Sequence, residues 1–237
     1  MEDTTDAHLA AGPAPDVAAA LRSRHSVRRY LPRPVERETV RRILDLARWA
    51  PSGSNTQPWK VYVLGGAVRD AVCAAALADA EANGERQERE YEYYPTDWYE
   101  PYLRRRRACG WGLYGSLGIT RGEAERMAAQ RNRNFTFFEA PVGLVLTIER
   151  RLNRGSWMDL GMFIQSVMLA ARGEGLHTCA QAAFANYHRL LREHLSIPDG
   201  EVVVCGMALG YRDPEAPENV WRAGRDPVES FTTWCGL

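Results

Sequence analysis

Ala50-Pro51-Ser52-Gly53-Ser54-Asn55-Thr56-Gln57-Pro58-Trp59-Lys60-Val61-Tyr62-Val63-Leu64 joins two kinds of secondary structure. Upstream, Val40, Ile43, Leu44 and Ala47 recur at i, i+3, i+4 and i+7, which is one face of an amphipathic helix over Glu36–Ala50. Downstream, Lys60–Leu64 is β-branched and aromatic and reads as a buried strand. Pro51-Ser52-Gly53 stops the helix. The loop between them concentrates hydroxyls and amides between two prolines. Ser, Asn and Gln place neutral donors and acceptors at fixed points, which suits the edge of a polar heterocycle as well as a capped turn.

Working outward, a helix is expected from Asp16 to about Arg24, and an alanine-rich one over Ala67–Ala82. Helix returns over residues 121–138. Val142–Ile148 and Glu201–Tyr211 read as two further buried strands. Ser156-Trp157-Met158-Asp159 has capping-box spacing and opens a helix to about Gly173. That helix is apolar nearly all round and reads as buried on both sides, in a subunit interface. Asn186 caps a helix to Leu195, and Phe231–Trp234 reads as a short terminal strand. Residues 1–14 read as a disordered tail and 15–237 as a single domain, with 84–115 as an insert. The insert holds Tyr91, Tyr93, Tyr94, Trp98, Tyr99 and Tyr102, then Arg104 to Arg107.

Composition narrows the functions. The chain has 237 residues, 45% of them apolar, with 30 basic and 30 acidic side chains. Zero net charge argues against nucleic acid or an anionic membrane surface as partner. The five cysteines are odd in number and scattered, which reads as reduced thiols of a cytoplasmic protein. The longest apolar stretch, Trp157–Ala171, falls short of the ~20 residues that span a bilayer. Lys60 is the only lysine.

Some motifs lead nowhere. Gly110-Trp111-Gly112-Leu113-Tyr114-Gly115 matches G-x-G-x-x-G, but Arg104–Arg107 precede it where a dinucleotide fold needs a strand. His177-Thr178-Cys179 lacks the partner pair of a zinc site and reads as a structural histidine, so no metal is expected. Arg24-His25-Ser26-Val27-Arg28 is different. Two guanidiniums flanking a hydroxyl can clamp an anion, because arginine forks match phosphate bidentately. Arg225, before Pro227, could add a second clamp, with Arg222 nearby.

Taken in order, Arg24-His25-Ser26-x-Arg28, Ala50-Pro51-Ser52-x-x-Asn55-x-Gln57-Pro58-Trp59 and Arg225-x-Pro227 resemble the FMN-dependent nitroreductase family, over roughly residues 17–235. The Tyr91–Tyr102 insert, Gly155–Asp159, Thr178-Cys179-Ala180-Gln181-Ala182 and Gly206–Tyr211 are similar to its nitrobenzoate-reductase branch. The resemblance implies an α+β fold, three-layer α/β/α, with a central mixed, largely antiparallel sheet flanked by helices, which the strands and helices read above fit. It implies an intertwined homodimer with exchanged C-terminal arms and FMN at the interface. Arg24 and Arg225 would hold the phosphate, with His25 beside them. Ser26 and Arg28 would reach the ribityl chain and the N1/O2 edge of the ring. Pro51, Ser52, Ser54, Asn55 and Gln57 would arrive from the other subunit, and the Gln181-Ala182 backbone would lie near flavin N5. Proline and glutamate commonly flank that last contact and are missing here.

The implied activity passes hydride from NADH or NADPH through the flavin to a small aromatic acceptor such as a nitroaromatic. No side chain is expected to be catalytic, since the flavin carries the chemistry. Tyr94, Trp98 and Tyr102 are candidate acceptor contacts, as a lid that stacks on a flat ring. A dehydrogenase, oxidase or dehalogenase on the same scaffold, and a flavin-binding protein without turnover, stay open.

Overall fold

The computed structural model describes residues 12–83 and 89–237. Residues 1–11 of the expected 1–14 tail and the start of the insert, 84–88, lie outside them. Four strands form the sheet: β1 (Trp59–Leu64), β2 (Val142–Glu149), β3 (His177–Gln181) and β4 (Glu201–Gly210). Their order is β1-β2-β4-β3, and every neighbouring pair is antiparallel. A parallel bridge joins Ser26 to Thr178 on the outer side of β3.

Side chains alternate across a strand, so each face of this sheet collects its own layer. On one face, Leu64, Val145 and Val203 pack with Val72, Cys73, Ala76 and Ala80 of α3 (Gly66–Asn83). Leu191 of α7 (His188–Leu195) joins them. On the other face, Leu144, Leu146, Ile148, Met207 and Leu209 meet two helices. These are α2 (Arg37–Ala47), through Val40, Ile43 and Ala47, and α6 (Arg154–Gly173), through Leu160, Phe163, Val167 and Ala171. The expected three-layer α/β/α arrangement is what results.

Two glycines set how closely the first layer approaches. Phe137 and Phe184 stack with ring centroids 4.4 Å apart, against Gly143 of β2 and Gly206 of β4. A Cβ at Gly143 would sit 2.6 Å from the Phe137 ring, and one at Gly206 would run into Phe184. The rings occupy the space those side chains would need.

The remaining helices are α1 (Val17–Ser23), α4 (Tyr102–Ser116), α5 (Ala124–Asn132) and a short α8 (Pro217–Val220). Asp16 caps α1, its carboxylate accepting from the Ala19 amide at 2.7 Å. Several expectations need correction. Gly110–Gly115 lies inside α4, so its glycines make no strand-to-helix turn. The insert therefore ends in a 15-residue helix, which the charged run concealed. Helix α6 starts after Asn153, and Asp159 caps the 51–57 loop instead, accepting from the Gly53 amide at 3.2 Å. Phe231–Trp234 forms no strand; Phe231 and Trp234 are exposed at 72% and 62%. His177–Gln181, too short for a periodic signal, proves to be a strand.

Candidate functional site

Helix α1 ends at Ser23, and the chain continues extended beside β3. The Val27 amide donates to the Thr178 carbonyl at 3.2 Å. Extended backbone alternates, so His25 and Val27 are buried while Arg24, Ser26 and Arg28 face outward, half-buried. Asn219, fully buried, fixes the segment from the other side. Its side chain accepts from the Arg28 amide at 2.8 Å and donates to the Arg29 and Asp213 carbonyls at 2.8 and 3.0 Å.

Asn219 sits in α8, whose following residues return to the same place. Arg24, His25, Ser26 and Arg28 line a cavity of about 240 Å³ with Cys109, Trp221, Arg222, Ala223 and Arg225. The His25 ring packs inward, 5.4 Å from that of His177, and its Nδ1 lies 3.1 Å from the Ser23 carbonyl. The Arg28 guanidinium donates to the Ser26 carbonyl at 3.2 Å.

The electrostatics are one-sided. Burial lowers the Arg24 pKa, and repulsion from Arg225 and Arg222 lowers it further. Arg222 is lowered by burial and then by Arg225. Among the described residues no carboxylate forms an ion pair with Arg24, Arg222 or Arg225. Like charges converging around a small cavity are stabilised by an anion. A phosphate with two charges and fork-matching oxygens fits this donor set, so the residues present suit the FMN phosphate.

Helix α4 closes this cavity. Gly112 meets the Trp221 ring with no room for a Cβ, and Arg105 pairs with Asp226, next to Arg225. On its other side α4 lines a groove of about 620 Å³, into which Tyr94, Trp98 and Tyr102 are brought together with Arg106 and Arg107. Arg28 belongs to both cavity and groove. A third cavity, of about 410 Å³, holds Gln181 and Ala182 beneath the insert and shares Tyr94 and Arg106 with the groove. The Gln181 side-chain amide donates to the Asn134 carbonyl at 2.7 Å.

The insert is anchored at its base. Glu90 accepts from Arg150 at 2.5 Å and from Arg192 at 3.0 Å. The Tyr91 hydroxyl donates to the Val204 carbonyl at 2.5 Å, and its ring meets Trp157 edge-on at 4.8 Å. Beyond that base, Tyr93, Tyr94 and Trp98 touch one another in series.

Pro51, Ser52, Ser54, Asn55 and Gln57 stand apart, and none lines any of these three cavities. Their loop is nonetheless built. Ser52 Oγ accepts from the Gln57 amide at 3.0 Å, and the Gln57 side chain donates to the Asn55 carbonyl at 3.3 Å. Ser54, Asn55 and Gln57 all take left-handed backbone, with φ of 50°, 55° and 47°. Such conformations cost on the order of 1 kcal/mol each and concentrate at functional sites. Cys109, Asn219 and Trp221 were not legible as site residues. They come from a helix interior and a short irregular arm, where sequence carries no local signal.

The comparisons with known proteins agree with one another. A model described as "Nitroreductase family" matches residues 21–211. A nitrobenzene nitroreductase of Ectopseudomonas oleovorans is 40% identical over 220 residues, covering 93% of this chain and 97% of its own. A 4-nitrobenzoate reductase of Nocardioides sp. is 42% identical over 219 residues, covering 91% and 88%. Among solved structures, the FMN and NADPH-dependent nitroreductase NfnB of Sphigopyxis sp. strain HMH superposes with a TM-score of 0.91. It shares 37% identity over 94% of this chain and 100% of that one.

Proposed function

The chain belongs to the nitroreductase family, and from that membership we propose an FMN-dependent oxidoreductase acting from NADH or NADPH on a small aromatic acceptor, a nitroarene above all. The observation that carries this reading is the Arg24 cavity, which four arginines line with no carboxylate among the described residues. FMN, when bound, would supply the redox chemistry that links the nicotinamide to the acceptor.

The chain's own residues hold and orient. Arg24, Arg222 and Arg225 hold the phosphate. Ser26 and Arg28 continue along the ribityl chain, with the Arg28 charge toward the ring edge, where it stabilises negative charge. The Gln181 amide is committed to Asn134, so Gln181 and Ala182 offer their backbone to the ring. Tyr94, Trp98 and Tyr102 stack on the acceptor and exclude water.

The 51–57 loop acts on a second copy of the chain. Its exposure here and its left-handed backbone support that role. A homodimer also accounts for Met158 and Met162, exposed on the otherwise apolar α6, and for Phe231 and Trp234 on the terminal arm. Edge strand β1 leaves one ladder open for such an arm. Among the described residues no helix is long and apolar enough to cross a membrane. The five free cysteines fit a reducing cytoplasm.

An absorbance spectrum of the purified protein, followed by anaerobic NADH and then NADPH, tests the reading. A flavin spectrum bleached by either nucleotide and restored by a nitroarene is the expected result. A flavin that stays oxidised points to a binding protein or a substrate-oxidising enzyme. A colourless protein that takes up no FMN overturns the site.

A further inference from the structure

Arg104 to Arg107 open α4, and helical geometry sends four consecutive side chains out about 100° apart. They therefore face different surroundings. Arg105 is committed to Asp226. Arg104 lines none of the three cavities, and Arg107 lines the groove alone. Arg106 lines both the groove and the cavity beneath the insert, its guanidinium carbon 4.8 Å from the centre of the Trp98 ring. Tyr94 is the other residue common to both walls. Among the described residues no carboxylate lines either space and none forms an ion pair with Arg106.

We propose that Arg106 determines acceptor choice, by holding the carboxylate of an aromatic acid whose ring lies against Tyr94 and Trp98. A guanidinium meets a carboxylate through two parallel hydrogen bonds. A neutral arene gains only the aromatic contacts. The relatives leave the choice open, since one is named for nitrobenzene and the other for 4-nitrobenzoate at nearly equal identity. The kinetic part of the proposal rests on the redox reading above; the binding part does not.

The test uses the FMN-loaded protein, with R106Q, R106K and, as a control that lines none of these three cavities, R104Q. Charge-assisted pairing at a partly open site predicts a kcat/KM for 4-nitrobenzoate about tenfold above that for nitrobenzene, shrinking as salt rises. R106Q abolishes that preference, R106K restores part of it, and R104Q retains it. Equal losses in R104Q and R106Q would overturn the proposal in favour of a diffuse basic field. So would an R106Q defect that appears as a raised KM for NADPH, which would assign Arg106 to the nucleotide. Binding of benzoate and benzamide, followed by tryptophan fluorescence, requires no turnover. Tighter benzoate binding that R106Q weakens upholds the proposal even if no nitroarene is reduced, and the redox reading then fails alone. Equal binding of the two by the wild type sinks it.

Discussion

Arg24 is held in place by backbone rather than by a counter-ion. Its amide donates to Ala20 at the end of α1, and its side chain reaches Met168 at 3.8 Å. Arg24→Ala should therefore spare the fold and remove the proposed phosphate contact. FMN dissociation should rise about tenfold or more, with melting of the apoprotein little changed; ultrafiltration of the yellow protein measures this. His177 makes a second residue-scale prediction. Burial, then the charges of Arg172, His25 and Arg212, lowers its pKa to about 2 from 6.5. A histidine neutral in the fold is protonated first in the unfolded chain. Its contribution to stability is present above about pH 6.5 and is lost as pH falls below it. The loss approaches about 1.4 kcal/mol per pH unit. Urea denaturation at pH 7.5 and 5.0 should show this slope in the wild type and a flatter one in His177→Gln. Identical slopes would assign acid sensitivity elsewhere.

At the scale of elements, α4 is the least autonomous part, with no buried residue along its length. It is held to the arm through Gly112 on Trp221 and Arg105 on Asp226. Gly112→Ala raises intrinsic helix propensity yet forces Trp221, the neighbour of Arg222, to move. The expected result is weaker FMN retention with unchanged far-ultraviolet dichroism; unchanged retention would show that the arm tolerates the displacement. The same helix explains what the sequence concealed. Glu36–Ala50 was readable because one face packs and the others are wet, giving a clean period. The α4 run of arginines and glycines has no such period, because both of its sides face cavities. Strand β3 is five residues, too short to carry a pattern. Arg24–Arg28 and the 51–57 loop stood out as candidates because clustered guanidiniums and left-handed backbone both draw on particular residue types. Asn219 was not, because its task is to tie segments some 190 positions apart.

For the whole molecule, the unfinished surfaces are the informative ones. Phe231, Trp234 and Leu237 are exposed on an arm without regular structure, and β1 ends the sheet on one side. Ending the chain after Pro227 keeps Arg225 and removes the apolar arm. Sedimentation of the wild type should give a dimer, and of the truncated chain a monomer or a weakened dimer. Two separate copies would each lack the partner's 51–57 loop, so FMN binding should become concentration-dependent in the truncated protein. A truncated chain that remains a tight dimer would place the contact on α6 alone.

Lys60, the single lysine, lies on that same edge strand and donates to Glu201 at 2.8 Å. Glu201 also accepts from Tyr62 at 3.0 Å and Thr147 at 2.5 Å. The hydrogen bond to Glu201 raises the Lys60 pKa, so its amine stays protonated where free amines begin to react. Amine-directed reagents thus meet one side chain in the whole protein, and a reluctant one. Acylation at mildly alkaline pH should mark the α-amino group first. The slower mass shift at Lys60, whose side chain is half exposed, then becomes a clock for how often its bond to Glu201 lets go.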